Sequence, residues 1–367
     1  GAALAVLVWF GSFFVNTRTE LEMTAFAVRY GESILIEAPD RSDILINGGA
    51  YTKEGGAFDN GQRTLLPSLS KKLIRSLDLM IATSLSPECF TGLHTTFANT
   101  YVANLVLPYD PAVVRTGMAE DAFLTAVGGE EMARQVGLAE NEALYREVVA
   151  GYPDLVLPSF SELIDRRAPT LVNRWADWDV NVRQGKGGDA LLNTSIDGIP
   201  YRIEVLSPVR PYLKNPVENN SLVLRVTYGQ TAFLLTSDIA EEALADLLQQ
   251  PAEKLRADVL VFPRHGTLDL TDQELDTMLS RVQPKAVLFC YTRDRNNPRS
   301  YDDFMTANWE RCVARLGIAN CFRTDAHGAV IVTSDGSAVK LDSMAARSHR
   351  RVLEVSDDVI SAIDVAY

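Results

Sequence analysis

The sequence predicts a mixed α/β (α+β) chain in which two β-sheets pack face to face beneath helices, with a helical insertion between its halves. Three observations predict it. Short apolar runs bounded by glycine and turn residues cluster in two stretches, at either end of the chain. Segments with apolar residues at helical spacing accompany each cluster. Between them, residues 110–186 are rich in Ala, Glu and Leu and show no strand rhythm. Strands with accompanying helices in two halves fit two sheets covered by helices.

The elements follow in order. Residues 23–28, 33–37 and 43–46 predict strands, punctuated by Gly31, Pro39-Asp40 and Gly48-Gly49. Residues 65–77 predict a helix, 79–82 a wholly apolar strand, 83–89 a polar loop with a helix after it, and 101–107 a strand. After the insertion come strands at 201–206, 221–228 and 231–235, then a helix over 241–248. Strand 259–262, helix 272–281, strand 286–289 and helix 302–316 follow, and a hairpin of 329–333 with 338–341 closes the second half. The domain is expected to span 21–342, with residues 343–367 as a tail carrying Arg347, Arg350 and Arg351. Residues 1–15 carry no charge. That length falls short of the roughly 20 residues needed to cross a bilayer. Residues 1–20 therefore predict the end of a transmembrane helix or an apolar lead.

Composition excludes several classes. A hydrophobic fraction of 47% with 23% charged residues is that of a globular protein, not a disordered one. A net charge of −13 argues against broad nucleic-acid binding, which needs a basic face. The four cysteines (Cys89, Cys290, Cys312, Cys321) form no C-x-x-C pair and suggest neither a zinc ribbon nor a disulfide framework. Only four histidines are present (His94, His265, His327, His349), so a centre built on four or five histidines is out of reach. No glycine-rich phosphate loop follows a strand.

An ordered series of motifs resembles a known family. It comprises Ala27-Val28-Arg29-Tyr30-Gly31-Glu32, Ile46-Asn47-Gly48-Gly49, Pro67-Ser68-Leu69 and Leu77-Asp78 before the apolar strand. Later come Asn219-Asn220-Ser221-Leu222-Val223-Leu224, Ser237-Asp238, Arg264-His265-Gly266-Thr267 and Arg323-Thr324-Asp325 with Gly328. The series resembles the C-terminal metallo-β-lactamase-type domain of ComEC-type DNA-uptake (competence) membrane proteins, over about residues 21–341 except the insertion. The resemblance implies an αββα sandwich, a bacterial inner or cytoplasmic membrane location, and the channel portion of the same protein as partner. Single-stranded DNA is a further implied partner.

The family's chemistry needs a loop of the type H-x-D-x-D-H after the apolar strand, so that a metal can lower the pKa of a bound water. Here the loop reads Thr83-Ser84-Leu85-Ser86-Pro87-Glu88-Cys89. The resemblance places Ser84 and Ser86 at two ligand positions, and a serine hydroxyl is a poor zinc ligand. A third histidine motif is absent, since no histidine lies between His94 and His265. Glu88, Cys89, Asp238 and His265 remain as candidate metal ligands. Asn47 stands where the pattern has Asp, and Arg29 and Tyr30 where it has small and amide residues.

Blander readings stand beside these. Cys89 reads as a small buried hydrophobe. Asp238 precedes a helix start with Glu241 as N-cap and a capping box. His265 sits in a glycine-containing turn. A Cys89–His265 nucleophile pair is conceivable, without an identified orienting group. Arg293, Arg295 and Arg299 surround Asn296-Asn297-Pro298 and could contact phosphate; a solvated loop is the alternative. His94 could face the site or solvent, and His327 is expected in an exposed hairpin turn. The sequence thus predicts a non-catalytic scaffold or binding domain that needs no cofactor. The alternative is a metal-dependent phosphodiester hydrolase using zinc or manganese in a reduced site.

Overall fold

Wholly apolar runs such as Ile-Leu-Ile, Leu-Met-Ile and Val-Leu-Val need cover on both faces of a strand, because successive side chains point to opposite sides. The computed structural model describes residues 18–29, 31–52, 58–108, 180–212, 214–291 and 302–345, and there that cover is present. The first sheet is built from β1 (Leu21–Ala25), β2 (Ile34–Glu37), β3 (Asp43–Ile46), β4 (Leu79–Ile81), β5 (Asn104–Pro108) and β6 (Asn181–Gly185). The second comprises β7 (Ala190–Ile196), β8 (Ile199–Ser207), β9 (Val223–Tyr228), β10 (Thr231–Leu235), β11 (Val259–Val261), β12 (Ala286–Phe289) and β13 (Cys321–Arg323). The chain then returns through β14 (Val330–Ser334) and β15 (Val339–Ser343) to the first sheet. The strand orders are β6-β5-β4-β3-β2-β1-β14-β15 and β7 through β13 in sequence. Each sheet is antiparallel in one part and parallel in the other. β3 to β6 run parallel in the first sheet and β10 to β13 in the second.

The alternation sorts side chains into three apolar layers. Ile34, Ile36, Ile44, Ile46, Leu79 and Ile81 meet Ile203, Phe233, Leu235, Val259 and Val261 between the sheets. The intervening Leu35, Leu45 and Met80 face outward onto α1 (Leu66–Lys71) and α2 (Pro87–Asn99) through Leu69, Leu93 and Phe97. Leu234, Leu260 and Val287 face outward on the other side. There they meet α3 (Glu241–Leu247), α4 (Asp272–Val282) and α5 (Asp302–Leu316) through Leu244, Leu275, Met278 and Cys312. This is the expected αββα sandwich.

Several boundaries differ from the sequence reading. The expected helix over 65–77 stops at Lys71, because Ser76–Leu77 pairs in parallel with Tyr101–Val102. β6 occupies the end of the stretch read as helical insertion. It is a polar edge strand bonded in parallel to β5, too short and mixed to show a period. β7 and β13 were also illegible. The first has only Leu191 and Ile196 buried, and the second is three residues long. The helix after β4 starts at Pro87, so Glu88 and Cys89 lie in its first turn and not in a loop. Arg18 pairs with Asp43 at 2.7 Å and Glu37 at 3.3 Å, and β15 runs to Ser343. Residues 1–17 of the apolar lead, 110–179 of the insertion, Tyr30, the loop with Arg293, Arg295 and Arg299, and residues 346–367 of the tail, His349 among them, lie outside the described residues.

Candidate metal centre

Carboxyl ends of strands from both sheets converge on one polar centre inside the sandwich. β3 runs out into Asn47, β4 into Thr83, Ser84 and Ser86, β10 into Ser237 and Asp238, and β11 into Arg264 and His265. Parallel neighbours bring such ends together, which is why sites gather there. All these residues are buried except Arg264, whose side chain is about one-third exposed. Their backbone is strained. Asn47, Ser237, Arg264 and His265 have φ of 58°, 53°, 48° and 59°, four of the nine described non-glycine residues with positive φ. Strain of this kind persists where surrounding bonds over-determine it. Here Asn47 N–H donates to Ile81 O at 2.9 Å, and Arg264 N–H to Ser237 O at 2.8 Å.

A hydrogen-bonded chain crosses from one sheet to the other. The Asn47 amide donates to Glu32 Oε1 at 2.9 Å, and its Oδ1 accepts the Thr83 N–H at 2.8 Å. Thr83 Oγ1 lies in hydrogen-bond contact with Asn47 and with Ser237 Oγ of the opposite sheet. The Thr83 carbonyl accepts the Leu222 N–H at 2.7 Å. An aspartate at position 47 would offer Glu32 a second carboxylate where the asparagine offers a donor.

Glycines let α2 approach closely enough to deliver Cys89. Gly48 N–H donates to Cys89 O at 2.7 Å and Gly92 N–H to Gly49 O at 2.8 Å. A Cβ on Gly92 would lie 2.0 Å from Gly48 O, and one on Gly48 2.3 Å from Leu93 N.

Three of the four candidate ligands come together. One donor atom each from Cys89, Asp238 and His265 lies within 4.8 Å of the others, and all three side chains are buried. Asp238 Oδ1 is 3.8 Å from His265 Nε2 and 3.7 Å from Arg264 Nε, while Arg264 also reaches Glu218 at 4.0 Å. Glu88 is half-buried in the first turn of α2 and does not belong to that cluster. Ser84 Oγ accepts the Ser86 N–H at 3.1 Å. Ser86 stands at the N-cap position of α2 without a side-chain cap bond, and its hydroxyl lies beside Cys89 and Asp238. Among the described residues the donors do not make up a two-metal centre. They fit one cation, held by a thiolate, a carboxylate and an imidazole.

Burial dominates the electrostatics. It pushes the Asp238 carboxyl up to about 6 against the opposing Arg264 charge, with Glu218 adding to the rise. Glu32 is pushed up to about 7, again by burial, with the Asn47 bond opposing and Asp238 adding. The Cys89 thiol is raised well above its ordinary range by burial, then by Asp238 and Glu32. Cys89 and His265 do approach each other, but such a thiol is no ready nucleophile.

Other sequence expectations change. Asp238 precedes no side-chain cap: Ala240 is the N-cap of α3 and has no side-chain cap bond, so the expected capping box is absent. His327 is half-buried in a short helical turn, where Nδ1 accepts the Arg323 N–H at 3.0 Å and the ring packs near Phe322 and Trp309. His94 is half-buried and sits edge-on to Phe90 at 4.8 Å. Arg29 keeps its guanidinium 5.4 Å from the Phe58 ring centre, with Arg63 at 5.1 Å from the same ring. Sequence reasoning gave Glu32 and Arg264 no role in the centre. The available signal was Glu32 itself, the only charge in the stretch Gly31-Glu32-Ser33-Ile34-Leu35-Ile36.

No protein-family model matches the chain, and no curated protein is significantly similar to it. Solved structures are similar at low identity. The metallo-β-lactamase fold protein YhfI from Bacillus subtilis is 9% identical over 82% of this chain and 95% of its own, with a TM-score of 0.40. Igni18, a metallo hydrolase from Ignicoccus hospitalis, is 10% identical over 84% of this chain and 98% of its own, with a TM-score of 0.40. CmlA, a diiron β-hydroxylase from Streptomyces venezuelae, is 11% identical over 86% of this chain and 55% of its own, with a TM-score of 0.43.

Proposed function

We propose that this chain is a metallo-β-lactamase-type domain that has kept the sandwich and lost hydrolysis, and that it acts as a scaffold or binding domain. The observation that carries the reading is the state of the loop after β4. Ser84 and Ser86 stand at ligand positions of the resembled motif, and Ser84 is engaged by the Ser86 amide. With Glu88 outside the Cys89–Asp238–His265 cluster, the donors for a second metal are missing among the described residues. A hydrolase of this type needs its metal to generate hydroxide at neutral pH.

The finer assignment rests on the ordered motif series. It supports a ComEC-like membrane protein of DNA uptake, with the channel portion of the same protein as partner and the bacterial inner or cytoplasmic membrane as location. No described helix is long and apolar enough to cross a membrane. Single-stranded DNA is the second partner. A strand passing the domain would meet paired guanidinium groups beside an aromatic ring, as at Arg29, Phe58 and Arg63, a chemistry suited to phosphates and bases. Binding of labelled single-stranded DNA that weakens steeply with salt, and is reduced in Arg29→Ala with Arg63→Ala, is the expected result. Absence of binding at low salt removes DNA from the reading.

The second reading, a metal-dependent phosphodiester hydrolase with a reduced site, is favoured by the convergence of Cys89, Asp238 and His265. Zinc or manganese would be its metal. Phosphodiester cleavage that rises with either metal and vanishes in Asp238→Ala would establish it in place of the first.

A further inference from the structure

The end of the sandwich opposite the polar centre exposes an apolar residue that the core does not use. We infer that Leu73, with Tyr101, Lys71 and Arg75 around it, forms the surface on which the domain meets a phospholipid bilayer. This rests on the membrane location proposed above and adds the face that the lipid touches.

Leu73 carries the argument. At 72% exposure it is the most exposed large hydrophobic side chain among the described residues, and it belongs to none of the three apolar layers. It also stands where α1 stops. Leu73 N–H donates to Ser70 O at 3.0 Å and Ile74 N–H to Leu69 O at 2.9 Å, with Leu73 at a φ of 62°. This helix ending favours glycine at its left-handed position, because a Cβ there is strained. A leucine at that position costs strain and leaves apolar surface in water at once. Ile74, the next residue, makes the core contact in its place.

The surroundings complete an interfacial surface. Ser76 pairs with Tyr101, so a tyrosine 45% exposed stands three residues on from Leu73. Lys71 and Arg75 flank Leu73, are both exposed, and make no ion pair among the described residues. Tyrosine suits the headgroup level of a bilayer, and lysine and arginine reach its phosphates with their stems laid along apolar surface. The acidic groups close by are engaged by the protein itself. Lys72 holds Glu22 at 2.7 Å and also Glu37, Arg18 holds Glu37 and Asp43, and Asp78 Oδ2 accepts the Asp43 N–H at 2.8 Å.

Those ion pairs also fix where the chain enters. Glu37 joins Lys72 to Arg18, so Arg18 lies at the same end as Leu73. The uncharged residues 1–15 connect to it through Asn16-Thr17. At this end Glu37 closes β2 and Asp43 opens β3, whereas Asn47 and the polar centre follow the other end of β3. A bilayer met through Leu73 therefore leaves the centre facing away from the lipid.

The test places a reporter on the patch. All four cysteines are buried, so the full chain carrying Leu73→Cys or Tyr101→Cys can be labelled there with an environment-sensitive fluorophore. Gln273→Cys, exposed on α4 in the other helical layer, is the control. Each labelled chain is mixed with vesicles of phosphatidylethanolamine and phosphatidylglycerol and recovered by flotation. The expected result is brighter, blue-shifted emission from positions 73 and 101, quenched by nitroxide-bearing lipid, with position 273 unchanged. Lys71→Glu with Arg75→Glu should reduce the shift read at Tyr101→Cys. Leu73→Gly should reduce it too while raising the Tm of the free chain, a split that a leucine serving the fold would not give. Chain that floats while the label at 73 stays in water overturns the patch and leaves the membrane location standing. Chain that does not float overturns both. A shift that appears without vesicles and grows with protein concentration overturns the lipid in favour of a second copy of this chain.

Discussion

Asn47 shows how one atom decides the state of the centre. Its amide donates to Glu32, and its carbonyl oxygen accepts from the Thr83 backbone, at a left-handed backbone position that asparagine tolerates. Asn47→Asp would trade that donor for a second buried carboxylate facing Glu32. The variant should lose roughly 2–4 kcal/mol in chemical denaturation. Adding Glu32→Gln restores a donor–acceptor pair, so the double variant should be more stable than the sum of the single losses. Additive losses, or an unaffected Asn47→Asp, would contradict the bonding described. Asp238, His265 and Cys89 were legible in sequence because they occupy ordered motif positions. Glu32 and Arg264 were not given a role, because theirs is set by what folds against them. Glu32 meets Asn47 across two strands, and Arg264 meets Asp238 across two loops.

At the level of elements, the strands buried on both faces were plain in the sequence, since unbroken apolar triplets leave few alternatives. Edge strands were not, because a strand half open to water carries polar residues that imitate a loop. β6 and β7 are of this kind. The start of α2 was misplaced by reading residues 83–89 as one loop, although Pro87 fits the first position of a helix. The docking of α2 gives an unusual sign to a familiar substitution. In an open helix, Gly→Ala stabilises by about 1 kcal/mol. At Gly92 the added methyl would meet Gly48 O at 2.0 Å, so Gly92→Ala should instead destabilise by about 1–3 kcal/mol. Thermal unfolding read by circular dichroism would reveal it as a lowered Tm. A raised Tm would mean that α2 does not rest on the Gly48-Gly49 turn as described.

Across the whole molecule, the proposed reading is that the fold has outlasted the hydrolytic chemistry. Three apolar layers are intact, and their alternation accounts for nearly every buried strand residue. The polar centre between the layers is equally well built, yet its bonds join protein to protein. Asn47 holds Glu32 and Thr83, Ser84 holds the Ser86 amide, and Arg264 leans on Asp238. A centre so organised ties the two sheets together through Thr83, which bonds Ser237 and Leu222, and among the described residues it gathers one set of three metal donors. The most direct test is hydrolysis of a chromogenic phosphodiester by the metal-stripped full chain, with zinc and then manganese added back, beside Asp238→Ala. The account predicts no cleavage above that of the free metal ions, and no difference between the wild type and the variant. Saturable, metal-dependent turnover by the wild type that Asp238→Ala abolishes would contradict it.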